Sequence, residues 1–140
     1  MEAHALRRLP VAGLAAGTVA LFDLGWKAAA LAAGHGALAV DTTSSLVKPV
    51  ATVIALPIVL VAVATVPALC LPGAVLALAG VSGNLASLAI WHAVPDPLSV
   101  AVAGGQLHFN LADLCIWSGG LVFVLTAVWA IWRLPAERFA

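Results

Sequence analysis

The chain has 140 residues, of which 64% are hydrophobic and 9% charged, and its formal net charge is zero. An ordinary soluble domain carries about 25% charged residues, so this composition excludes one. No basic patch exists to neutralise phosphates, which excludes nucleic acid as a partner.

A membrane-spanning helix needs about 20 predominantly apolar residues. Four segments meet that requirement: Leu9–Ala33, Leu46–Thr65, Leu71–Ala93 and Leu111–Trp132. The expected fold is an all-α integral membrane protein, with residues 1–140 forming one four-span domain. Arg7 and Arg8 lie before the first span, and Arg133 and Arg138 after the last. By the positive-inside rule both termini are cytoplasmic, which requires an even number of spans. The loops His35–Ser45 and Val94–Asn110 then face outward and Val66–Cys70 faces inward. Lys48 falls on the outer side, one lysine against four arginines.

The first span carries Asp23 and Lys27 four residues apart, on one helix face and with the acid first. These charges interrupt the apolar stretch, which favours a retained helix over a cleaved leader. They read equally as a self-neutralising pair or as a functional contact facing the bundle interior. The second span contains Pro49 and Pro57, and the third begins near Pro67 and Pro72. The third also holds Gly80, Ser82, Gly83, Asn84, Ala86 and Ser87, small residues that admit a close helix neighbour. Asn84 at membrane depth needs a hydrogen-bond partner and is expected to face the bundle.

Trp91 and His92 suit a membrane interface. In Pro95-Asp96-Pro97 the flanking prolines keep Asp96 extended. SVAVA and QLHF then flank Gly104-Gly105, which reads as a β-hairpin with a two-residue turn. The hairpin would fold the chain back and bring Asp96 toward Asp113. Asn110 followed by Asp113 fits a helix N-cap with an acid at the third position. It also fits one half of a carboxylate pair. Two carboxylates brought together cannot both ionise cheaply, and one member of such a pair activates water while the other polarises a peptide carbonyl. Cys70 and Cys115 would lie on opposite sides of the membrane, too far apart for a disulfide. No metal-ligand spacing occurs, and no cofactor is expected.

These residues resemble a known family. FDLGWK with Asp23 and Lys27, SGNL with Gly83 and Asn84, Asp96 twelve residues beyond that asparagine, and FNLAD with Asn110 and Asp113 are similar, in order, to the motifs of the lipoprotein signal peptidases, signal peptidase II. The resemblance covers nearly the whole chain. It implies a four-span aspartic endopeptidase of the bacterial inner membrane, with its active site on the outer face. Its substrate would be a prolipoprotein signal peptide, cut just before a diacylglyceryl-modified cysteine. Asp96 and Asp113 would form the catalytic dyad, Asn84 and Asn110 would orient the site, and Asp23 and Lys27 would brace the bundle. Asp41 is the nearest counterpart of an asparagine in the family's first outer loop. After its Gly-Asn pair and two intervening residues the family has Asp-Arg, where this chain has Ser87 and Leu88, and leucine donates no hydrogen bonds. That departure motivates a second reading, a non-cleaving relative that holds lipoproteins, lipids or a membrane partner; a third is a small subunit of a transporter or larger complex, in which the aspartates relay protons.

Overall fold

The structure, a computed structural model, describes residues 3–34 and 47–133. Four long helices run α1 Ala3–Ala32, α2 Val47–Thr65, α3 Leu71–Trp91 and α4 Leu111–Trp132. A one-turn 3₁₀ helix, Ala68–Cys70, leads into α3. The strands β1 Leu98–Val102 and β2 Gly105–Phe109 form an antiparallel hairpin between α3 and α4. All four long helices are long and apolar enough to cross a membrane.

Helix bounds follow local chemistry. Pro72 occupies the first turn of α3, where the missing N–H costs no hydrogen bond. Pro49 likewise falls in the first turn of α2, so of its two prolines only Pro57 lies inside the helix. The helix α3 ends on His92, whose left-handed backbone (φ 54°) returns its N–H to the Leu88 carbonyl and turns the chain toward Pro95. That places the end at Trp91, short of Ala93.

The hairpin turn differs from the sequence expectation by one residue. Val102 pairs with Gly105, so the turn is Ala103-Gly104 and Gly105 belongs to β2. Gly104 takes the positive φ (92°) that the turn demands, and glycine adopts it without steric cost.

The helices run up and down, with α3 in the centre against the other three. Its contact with α4 is backbone-close. A Cβ on Gly73 would sit 2.5 Å from the Phe123 amide, and one on Gly119 would sit 2.6 Å from the Ala77 amide. A Cβ on Gly80 would collide with the Ala112 carbonyl. Glycine at these three positions lets the helices meet without side chains between them, which brings the two backbones into van der Waals contact. A core of small side chains (Ala12, Ala16, Val63, Ala74, Leu78 and Ala79) fills one half of the bundle.

The other half is polar inside. Asp23, Lys27, Thr52, Asn84, Ser87, Asp96, Asn110 and Asp113 are all buried, while Leu14, Leu21, Phe22, Ile58, Leu121 and Leu125 point outward. Apolar surfaces around a hydrogen-bonded interior are what a hydrocarbon solvent favours. Arg8 donates to the Val66 carbonyl (3.1 Å), at the bundle end where α1 begins and α2 stops. Arg133, at the end of α4, lies over the Trp129 ring. Both arginines are therefore at the end opposite the aspartates. Cys70 and Cys115 are buried free thiols.

Candidate functional site

The site grows from the start of α4. Asn110 caps this helix in an extended conformation. Its side-chain oxygen accepts from the Asp113 amide (2.9 Å), and Asp113 Oδ2 accepts in return from the Asn110 amide (3.3 Å). This is a reciprocal capping box. It uses only one end of the Asn110 amide group. The other end, Nδ2, donates to Asp96 Oδ1 (2.6 Å) and to the Pro95 carbonyl (3.3 Å). One residue thus caps the helix that carries Asp113 and holds the loop that carries Asp96. The reading of Asn110 and Asp113 as a helix cap and the reading as site residues describe the same geometry.

Asp113 Oδ1 accepts from Asn84 Nδ2 (2.9 Å) on α3. Asn84 Oδ1 in turn accepts from the Lys27 ammonium (2.9 Å), which also donates to Ser87 Oγ (3.0 Å). Lys27 is fully buried and pairs with Asp23 Oδ2 at 2.6 Å. Asp23 Oδ1 accepts from the Ala112 amide (3.0 Å), so a carboxylate of α1 meets one of the unpaired N–H groups at the start of α4. Ser87 stands where the resembling family has aspartate, and its hydroxyl still gives Lys27 an acceptor while donating to the Gly83 carbonyl (2.8 Å). Leu88 contributes no side-chain polar atom. A Cβ on Gly83 would approach Asp23 Oδ2 to 2.9 Å, so glycine there leaves room for the ion pair.

Lys48, in the first turn of α2, is the residue that sequence reading missed. Its ammonium lies against Asp96 Oδ2 and is 3.1 Å from Asp113 Oδ2. The side chain of Lys48 is 39% exposed, whereas those of Asp96 and Asp113 are 7% and 9% exposed. The cation therefore reaches the carboxylates from the open side. A signal was present in the sequence: a lysine alone at the start of an apolar span needs an anionic partner. The carboxylates that it meets are those of Asp96 and Asp113.

The cleft in front of this cluster has a volume of about 260 Å³. Lys48 and Thr52 line it from α2, Asn84 from α3, His108 from β2, and Asp113 and Trp117 from α4. Its remaining wall is apolar, including Ala55, Val81 and Ile116. The volume is below the roughly 300–1,000 Å³ of a small-molecule pocket.

The structure thus brings Asp23, Lys27, Asn84, Asp96, Asn110 and Asp113 into one connected polar network and adds Lys48 and Ser87 to it. Asp41 lies outside the described residues. Among those residues, no three His, Cys, Asp or Glu side chains gather in a metal-binding group.

Comparison with known families, curated proteins and solved structures finds no match to this chain. The class that fold and site define is a four-helix chain, each helix able to cross a membrane, with two buried carboxylates and a lysine at one end of the bundle.

Proposed function

We propose that this chain is a membrane aspartic endopeptidase of the signal peptidase II kind, cleaving the signal peptides of lipid-modified prolipoproteins. One observation carries the reading. Asp96 and Asp113, from a proline-flanked loop and a helix start, converge on Lys48 and Asn110 at the mouth of a cleft. Such a pair has the parts for amide hydrolysis: a carboxylate to take a proton from water, and a proton donor for the leaving nitrogen. The motifs in FDLGWK, SGNL and FNLAD supply the family resemblance. The asparagines hold the carboxylates by hydrogen bonds, which gives the rigid support a hydrolytic site requires.

The cleft between α2 and α4 would admit the extended segment around the scissile bond, with the apolar part of the signal peptide and the diacylglyceryl chains in the surrounding lipid. Arg8 and Arg133 at the opposite end support a topology with both termini cytoplasmic and the aspartates on the outer face, and the resemblance implies a bacterial inner membrane. The test is cleavage of a lipidated prolipoprotein by the purified chain. Asp96→Asn and Asp113→Asn should each abolish it. The reading fails if the chain never cuts a substrate that an active family member cuts under the same conditions, or if either variant cuts at the original rate.

A second reading is a non-cleaving relative that binds lipid-modified proteins. The observation in its favour is the ammonium of Lys48 seated between the two carboxylates, together with Leu88 in place of the family's arginine. Capture of the lipidated substrate without cleavage would select it.

A further inference from the structure

We infer that Lys48 carries the proton that a lone pair of aspartates would have to share, and that its ammonium is the acid of the hydrolytic step. This rests on the endopeptidase reading above and specifies its mechanism. The argument begins with charge. Two carboxylates held together in a poorly solvated place ionise fully only at high cost, so an aspartate dyad works with one proton between its members. Here an ammonium contacts Oδ2 of both carboxylates. Two carboxylates with one ammonium have one net negative charge, the same as a dyad holding a proton. The proton that lowers the charge of the pair is then on nitrogen.

Geometry supports the assignment. The Oδ1 atoms of the carboxylates are already occupied by buried donors: that of Asp96 by Asn110 Nδ2 and that of Asp113 by Asn84 Nδ2. Lys48 approaches from the cleft and lines it, so it stands where a bound peptide would arrive. The charged and titratable groups around it are Asp113 from α4, Asp96 from the loop before β1, and His108 from β2. The helix α3 contributes the uncharged Asn84, behind which lies the Lys27–Asp23 pair of α1. Lys27 is fully buried and its Nζ–H groups face Asp23, Asn84 and Ser87, so it is not placed to give a proton to substrate.

The step balances as follows. Water adds its oxygen to the peptide carbonyl carbon while Asp96 or Asp113 takes one of its protons. Lys48 gives a proton to the amide nitrogen. The C–N bond breaks, its electron pair goes to nitrogen, and the carbonyl re-forms as a carboxylic acid beside a free amine. The neutral Lys48 then takes back the proton held by the carboxyl group, which restores the site.

The experiment compares the full chain with Lys48→Arg and Lys48→Met, in detergent or vesicles, by kcat/KM for a lipidated prolipoprotein peptide across pH. Arginine keeps the positive charge between the carboxylates but does not release a proton. Cleavage by Lys48→Arg should fall about 100-fold or more, with its melting temperature close to that of the unaltered chain. Lys48→Met should retain slow cleavage with its optimum moved to lower pH, because the carboxylates must then share their own proton. Infrared spectroscopy at neutral pH reads the proton directly. The unaltered chain should show no carboxylic-acid carbonyl band that Asp113→Asn removes, whereas Lys48→Met should show one. The inference is overturned if Lys48→Arg cuts within a few-fold of the unaltered chain, or if that chain has such a band. The two readings fail differently. A chain that cuts nothing sinks the endopeptidase and the acid role together, while cleavage surviving Lys48→Arg sinks the acid role alone.

Discussion

Asn84 donates to Asp113 across the interface of α3 and α4 at 2.9 Å. Because its oxygen also accepts from Lys27, this side chain transmits the position of the buried Asp23–Lys27 pair to the carboxylate at the cleft.

Removing that link leaves polar groups without partners on both sides. Asn84→Ala should lower stability by about 1–3 kcal/mol, the usual cost of stranding a buried polar group. Thermal unfolding in detergent measures it. Cleavage should fall as well, since Asp113 loses one of its positioning bonds. A variant as stable as the original would show that water or a neighbour replaces the amide.

Asn110 allows its two tasks to be separated. Serine caps helices about as well as asparagine, but it has no second donor long enough to serve both the Asp113 amide and Asp96. Asn110→Ser should keep the cap, lose about 1–3 kcal/mol from the stranded Asp96 oxygen and lose most cleavage. Asn110→Ala should lose both, the cap deletion adding a further cost of about 0.5–2 kcal/mol. Equal cleavage by the serine variant would show that the grip on Asp96 is dispensable.

The ion pair of α1 is buried too well to lose one member. Lys27→Met leaves the Asp23 carboxylate without its cation and should destabilise by about 3–5 kcal/mol. Asp23→Asn together with Lys27→Met removes both charges and keeps an acceptor for the Ala112 amide, so it should recover much of the loss. Equilibrium unfolding of the two single variants and the double variant gives the coupling. If the losses simply add, the two residues act independently and the pairing has no energetic content.

Gly80 tests how far the site depends on helix approach. The added methyl of Gly80→Ala has no space beside the Ala112 carbonyl, and α3 must move away from α4 at the residue next to Asp113. The expected cost is about 1–3 kcal/mol. Gly120, around which an added Cβ meets nothing, is the control. Gly120→Ala should be neutral or slightly stabilising, because alanine favours the helix. Equal effects of the two substitutions would refute the packing argument.

Several features could be read along the chain because their causes are local. Four long apolar runs correspond to four helices, with ends displaced by a few residues. The three-residue spacing of Asn110 and Asp113 marks a capping box, since helix geometry alone brings those groups together. Glycines near 104 marked a turn, but the pairing of Val102 with Gly105 moved it by one residue, and only the strand register decides that. The motifs around Asp23, Asn84, Asp96 and Asp113 named residues that meet in space through their resemblance to a family.

What the sequence by itself determined is the apolar solvent the chain suits, the number of helices and the cap that begins α4. Composition, the lengths of the apolar runs and short-range hydrogen bonds are sufficient for these. The tertiary structure alone decided that Lys48 reaches both aspartates and that Asp23 meets an amide 89 residues away. Those contacts depend on how far each helix is rotated and slid against its neighbours. That register is set by the sum of close packing, above all at Gly73, Gly80 and Gly119, and no single stretch of sequence states it.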